Sequence, residues 1–360
     1  MESDLGTRTP LEQVLEKLSN AFGPPGQEDE VREVLRSELE DYADEVKVDR
    51  LGNILFHHHG SENNPHVMLT AHMDEVALFV TFIEDTGFLR IHPVGGIVDR
   101  ILPGQPLLFQ SKNNTWIKGI VGSKPPHLMT QEERKTMIPI EDLFVDVGAS
   151  TPTQIAEKGL EIGTTGVFDV KFSTLGNGFL SGKAFDDRMG CTVLVEAFKA
   201  LKKSRFNLTA VGTVQEEVGL RGARTAAWQL NPDYALALEG TFAADVPGTR
   251  PDRTSSKLKA GPVVTIMDRA AITNPVVLRT LMETGKTRKI PYQFKQVPMG
   301  GTDAGAIHLV KQGIPSGTVA VPCRYIHGPT AIAHLDDLKN TIQLTSEFVK
   351  NISNLPNCPK

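Results

Sequence analysis

From about residue 187 to residue 350 the chain alternates apolar runs with amphipathic stretches. Helices are predicted at 187–201, 223–230, 274–284, 304–311 and 335–350, and strands at 208–214, 234–238, 261–265, 292–297 and 317–321. Parallel neighbours cannot be joined by a hairpin and need a crossover, usually a helix. The alternation therefore predicts an α/β fold with a mainly parallel central sheet flanked by helices on both faces.

The chain opens with two amphipathic helices. The first, 11–22, carries Leu11, Val14, Leu15, Leu18 and Phe22 on one face; the second, 27–42, carries Val31, Val34, Leu35 and Leu39. A hairpin at 46–56 and a strand at 66–71 follow. His57, His58 and His59 alternate faces in such a strand and read as a solvated strand end rather than a chelator. From about Asp74 to Val170 the helical period disappears, and short β-like pieces (78–83, 88–92, 106–109, 116–121) alternate with Gly- and Pro-rich turns. This predicts a small β-rich domain at 74–170 inserted into a main domain made of 1–73 and 171–360. The polar, Pro-containing stretch 123–139 is expected to be a mobile loop.

Composition narrows the function. A formal charge of −5 leaves no basic footprint for nucleic acid. Cys191, Cys323 and Cys358 are odd in number and widely spaced, which fits a reducing compartment better than a disulfide framework. The first residues lack a secretory pattern, and no apolar run is long enough to span a bilayer. A cytoplasmic protein without a membrane partner is expected.

Chemistry concentrates where strands end. His72 and Asp74, Asp186 and Asp187, Glu216 and Glu217, Glu239, and His327 each follow an apolar run. In an open α/β sheet the carboxyl ends of the strands meet on one edge, where ligands bind. A lone Glu-Glu pair is ordinarily an acidic surface turn. Several acids in one crevice repel one another unless a cation compensates. Imidazole and carboxylate ligands suit zinc, cobalt or manganese, and the lack of cysteine argues against a purely structural zinc site. Two histidines and three acidic positions suffice for two metals if one carboxylate bridges them. Adjacent glutamates near a strand end point to opposite sides. One of Glu216 and Glu217 can then bind metal while the other moves protons.

These stretches resemble the M42 family of metallo-aminopeptidases, the tetrahedral aminopeptidase group. The matching motifs are 71–76 (AHMDEV), 182–188 (GKAFDDR), 213–222 (TVQEEVGLRG), 300–308 (GGTDAGAIH) and 324–327 (RYIH), in the same order, with 102–105 (LPGQ) and 162–166 (IGTTG) also family-like. The resemblance implies a di-zinc peptidase-like fold with an inserted PDZ-like dimerisation domain, and two divalent ions per subunit, zinc or cobalt. It implies that Asp186 bridges the metals, that His72 and Glu239 complete one site, and that Glu217 and His327 complete the other. Glu216 would be the general base, and Asp74 would orient or tune His72. It further implies dimers assembled into a tetrahedral homododecamer that trims short peptides. Two departures stand out: Glu239 replaces the usual aspartate, and Ala77 replaces a family glycine.

Asp303 is expected to cap the helix at 304, with a cleft-shaping role as the other reading, and His308 to be a helix residue facing the core. Cys191 and Cys323 read as small buried residues. Two other functions remain open at this point: a di-metal hydrolase of other amides or of glycans, endoglucanase-like, and a non-catalytic oligomeric scaffold.

Overall fold

The computed structural model describes residues 8–61 and 64–352. The first residues and Cys358 lie outside them. The main domain is built on a central sheet whose inner strands run Asn207–Thr213, His66–His72, Tyr234–Phe242, Ser316–Arg324, all parallel. These strands are buried almost throughout. Successive side chains face opposite layers, as the two-residue period requires. Val67, Leu69 and Ala71 join one apolar cluster with Leu15, Leu35, Met189, Phe198 and Phe348, while Met68 joins another with Val211, Ala223, Ala227 and Ile307. Helices Pro10–Asn20, Asp29–Leu39, Phe185–Ala200 and Leu335–Asn351 supply the first layer, and Arg221–Leu230 with Ala304–Ile307 the second. The predicted covering on both faces is therefore observed.

The main run of the sheet is parallel only at its centre; off that run, Val263–Thr265 pairs antiparallel with Ser316–Arg324 and parallel with Gln293–Phe294. Glu45–Val48 and Ile54–His58 form a hairpin that joins one edge antiparallel, and Ala331–His334, Phe179–Gly182 and Ser173–Gly176 extend the other edge antiparallel. The reason is local chain reversal. Asn177 and Gly178, with φ of 52° and 79°, join the last two strands in the short turn that hairpins favour.

The insert closes into a six-stranded antiparallel barrel of Ala77–Ile83, Leu89–Val94, Phe144–Asp146, Trp116–Gly122, Pro106–Gln110 and Thr165–Phe168. Its own core includes Leu78, Val80, Leu107, Phe109, Leu143 and Val145. Ala77, where the family glycine would stand, opens the first barrel strand and is not among the residues with positive φ. The barrel docks on the main domain through Phe22, Ala77 and Val167, with the Phe22 and Trp116 rings 5.2 Å apart.

Candidate active site

The seven residues to which the resemblance gives a role meet at the carboxyl edge of the parallel strands. His72 ends its strand, Glu239 lies inside Tyr234–Phe242, Asp186 opens the helix Phe185–Ala200, and His327 follows Ser316–Arg324 by three residues. The Asp186 carboxylate sits between two imidazoles: Oδ1 is 3.2 Å from His72 Nε2, and Oδ2 is 3.2 Å from His327 Nε2. Glu239 Oε2 lies 3.6 Å from His72 Nε2, and Glu217 Oε1 lies 3.6 Å from His327 Nε2. Glu216 Oε2 approaches His72 Nε2 to 4.0 Å.

The loops that carry these groups are held in unusual conformations. Ala184, Gln215, Leu220, Tyr325 and His327 have φ between 56° and 63°. Residues with a Cβ seldom occupy that region, and they persist there only where the surroundings over-determine them. At the glutamate pair the constraint is Asp74, fully buried, whose Oδ1 accepts the Glu216 N–H at 2.9 Å and whose Oδ2 accepts the Glu217 N–H at 3.0 Å. The Asp74 carbonyl oxygen also lies 3.1 Å from His72 Nδ1. The alternating-strand argument for Glu216 and Glu217 does not apply, because the strand ends at Thr213 and Gln215 turns left-handed. The pair is spread by its two backbone anchors instead.

Two acids have supporting roles that the sequence did not assign. Asp187 is buried, with Oδ2 accepting the His72 N–H at 3.1 Å and Oδ1 the Gly190 N–H at 2.8 Å. Glu28, buried on the second helix's N-terminal side, accepts the N–H groups of Gly26 at 2.7 Å and Gln215 at 3.2 Å. The doubled acid in GKAFDDR was the available signal for the first; nothing local pointed to the second. Asp303 corrects its expected role. Its side chain makes no cap bond; Oδ2 accepts the Thr213 hydroxyl at 2.5 Å, and its N–H donates to Glu239 Oε1 at 3.3 Å. His308 is half-buried, hydrogen-bonded to the Ala304 carbonyl within its own turn, and does not reach the cluster. Cys191 and Cys323 are buried thiols, as expected. The expected solvated His57 and His58 instead bond other segments of the same chain, at the Thr209 hydroxyl and the Ser204 carbonyl.

The electrostatics leave room for cations. Burial, reinforced by neighbouring acids, pushes Glu216 and Glu239 well above the usual carboxylate range and Glu217 up to about 7. Burial also acts on Asp186, but hydrogen bonds from His327 and His72 hold it low. Against burial, Asp186 and Glu217 push His327 up to about 10. Ionised together, four carboxylates around two imidazoles would carry more negative charge than the imidazoles neutralise, and divalent cations suit such a donor set. His72, Asp186 and Glu217 place ligand atoms within 4.8 Å of one another, as do His72, Asp187 and Glu239. The cluster opens into a pocket of about 790 Å³, walled on the barrel side by Gly96 and Val98.

A family model described as M42 glutamyl aminopeptidase matches residues 52–344. The lysyl aminopeptidase of Pyrococcus furiosus is 33% identical over 343 residues, covering 94% of this chain and 97% of the relative. A crystal structure of a TET aminopeptidase from a Thaumarchaeota archaeon superposes with a TM-score of 0.91 at 37% identity, covering 95% of this chain and 96% of that one. The Pyrococcus horikoshii TET1 peptidase, reported to assemble into a tetrahedron or a large octahedral shell, has a TM-score of 0.83 at 34% identity over 94% of this chain and 98% of that one. The chain belongs to the M42 peptidase family and is an aminopeptidase, a hydrolase.

Proposed function

We propose that this chain is a di-metal aminopeptidase that removes the first residue from short peptides, the Asp186 carboxylate between His72 and His327 being the observation that carries the reading. His72 and Glu239 would hold one ion, His327 and Glu217 the other, and Asp186 would serve both. Divalent ions, when bound, polarise a carbonyl and lower the pKa of a water; zinc or cobalt fits the imidazole and carboxylate donors.

The remaining steps belong to side chains. Glu216 stands beside the ligand carboxylates, and its backbone is tied to Asp74. It takes a proton from the attacking water and passes it to the leaving amine. With divalent ions bound beside it Glu216 would start as the carboxylate, and burial, the largest influence on it, strengthens its hold on the proton it then takes. Asp74 positions both glutamates and His72, while Asp187 holds the His72 backbone. In family terms the division is a catalytic part, 1–73 with 171–360, and a PDZ-like dimerisation part, 74–170. Assembly into a tetrahedral dodecamer is supported by the TET1 neighbour, and a cytoplasmic setting by the free thiols Cys191 and Cys323.

Glu216→Gln is expected to keep its metal content while turnover falls about 10²–10⁴-fold, and a chelator to abolish turnover of the wild type. Aminoacyl anilides beside a soluble cellulose make the assay; full activity in the variant, or sugar release without anilide cleavage, would sink the reading. Membership leaves the preferred first residue open: the matching family model is described as glutamyl, the P. furiosus relative as lysyl.

A further inference from the structure

The turn that carries Glu216 and Glu217 is held by more than Asp74. Four successive N–H groups donate to side-chain oxygens of distant segments. Val214 donates to Asn53 Oδ1 at 3.0 Å, Gln215 to Glu28 Oε1 at 3.2 Å, and Glu216 and Glu217 to the two oxygens of Asp74. Asn53, Glu28 and Asp74 are all buried. The carbonyls of Val214, Gln215 and Glu216 accept the N–H groups of Gly222, Arg221 and Gly219. The strand has ended at Thr213, so the backbone amides of this turn need partners from elsewhere, and side chains supply them.

Glu28 holds the strained member of the four. Only Gln215 among them has a positive φ, 58°, a region that a residue with a Cβ keeps only where its surroundings hold it. Glu28 stands at the N-cap of the helix Asp29–Leu39 yet makes no capping bond to it. Its Oε1 accepts the Gly26 N–H at 2.7 Å and reaches across to Gln215 instead. A residue that only started the helix would turn its oxygen onto the helix. Glu216 comes next in the chain, so the direction in which Gln215 leaves the strand sets where the Glu216 carboxylate goes. Its Oε2 stands 4.0 Å from His72 Nε2. An ordinary negative φ at Gln215 would swing that carboxylate away from the cluster. Resting on the reading of Glu216 as general base, we propose that Glu28 is a positioning residue for proton transfer: it holds the Gln215 N–H, keeps Gln215 left-handed and so aims Glu216 at the reacting atoms.

The test measures kcat and KM of the metal-loaded enzyme on the aminoacyl anilide it cleaves fastest, with metal content and circular dichroism on the same samples. The variants are Glu28→Leu, Glu28→Gln, Gln215→Val and Gln215→Gly, each alone and combined with Glu216→Gln. Glu28→Leu should lower kcat about 10–100-fold, the cost of a misplacement of about an ångström, with KM and metal content unchanged. Glu28→Gln, whose amide oxygen can accept the same two N–H groups, should recover most of that loss. Gln215→Val should reproduce the loss, because a β-branched residue resists the left-handed region, and Gln215→Gly, which enters it freely, should not. In the Glu216→Gln background none of the four should slow the enzyme further, since the contribution of groups that act as a unit is lost only once. Full kcat in Glu28→Leu overturns the proposal; where that variant does not fold, equal kcat in the two Gln215 variants overturns it. A loss that multiplies with that of Glu216→Gln overturns it too, and makes Glu28 a general prop of the fold. Metal lost in step with activity overturns it in favour of the ligand Glu217. Full activity in Glu216→Gln alone overturns the general-base reading itself, and this role with it.

Discussion

Asp74 shows how one side chain can set two others without touching substrate. Its two oxygens accept the N–H groups of Glu216 and Glu217. Asp74→Asn replaces one acceptor with an amide that faces a donor. A loss of about 10–100-fold in kcat/KM is expected, the range for groups that orient metal ligands; wild-type kinetics in the variant would remove Asp74 from the machinery. The five histidines and acids of the proposed ligand set were legible because each follows an apolar run. Asp187 and Glu28 were not, because what they do depends on distant backbone N–H groups that no spacing reveals. His66 makes a separate point about pH. Burial, aided by nearby His57, lowers it to about 4, and its Nε2 lies 2.8 Å from the Thr209 hydroxyl. The unfolded chain takes up this proton first, so stability is full above about pH 6.5 and falls as pH drops towards 4. Between pH 7 and 5 this histidine accounts for a loss of about 2 kcal/mol. Urea unfolding of His66→Gln should show a correspondingly shallower decline, and an unchanged slope would assign the acid sensitivity elsewhere.

Elements meet the site through a buried ion cluster. Lys183 Nζ and Arg188 Nη2 lie 2.6 Å and 3.2 Å from Glu75 Oε1. Lys183 also donates to the Ala21 carbonyl at 2.7 Å, and Arg188 to the carbonyls of Leu18, at 3.0 Å, and Met73. The end of the first helix, the loop after His72 and the helix bearing Asp186 are thus tied to one carboxylate. Glu75→Gln leaves two buried cations with a weakened partner, and a loss of about 3–5 kcal/mol is expected in urea unfolding. Glu75→Leu combined with Lys183→Met should be less destabilised than Glu75→Leu alone; an additive result would deny the coupling. At this scale most elements were legible, and the failures have physical causes. The predicted strand at 234–238 runs on to Phe242, because Glu239 is an acid buried within it and charge had marked its end. The helix expected at 304–311 is a single turn, Ala304–Ile307, whose apolar spacing reflects burial around a tight loop rather than a long helical face. The Asn177-Gly178 hairpin was readable from its turn residues and was overlooked.

The proposed ligand set gathers residues that the sequence keeps far apart. Residues 72, 186, 217, 239 and 327 come from five segments, and His327 is further tied to the barrel, its Nδ1 lying 2.9 Å from the Gly96 carbonyl oxygen. The lost helical period is what marked an insert at 74–170 in the sequence. Its closure was not legible there, because the first barrel strand pairs with the last, Leu78 opposite Gly166, across most of the insert. An ion bound by such a set binds the folded chain and not the unfolded one, which presents no two ligands together. At a thousandfold excess over its dissociation constant each ion then adds about 4 kcal/mol to stability. For a chain of this size, chelation should lower the melting temperature by roughly 5–10 °C, and zinc or cobalt should restore it. Scanning calorimetry on metal-loaded, chelated and reloaded protein measures both steps. The comparison should also separate two kinds of variant. Glu216→Gln, which keeps every proposed ligand, should show the full metal-dependent rise. His327→Ala should lose part of it, because one site then lacks its imidazole. If loaded and chelated wild-type protein melt at the same temperature, the crowded carboxylates need another explanation and the di-metal mechanism fails with them.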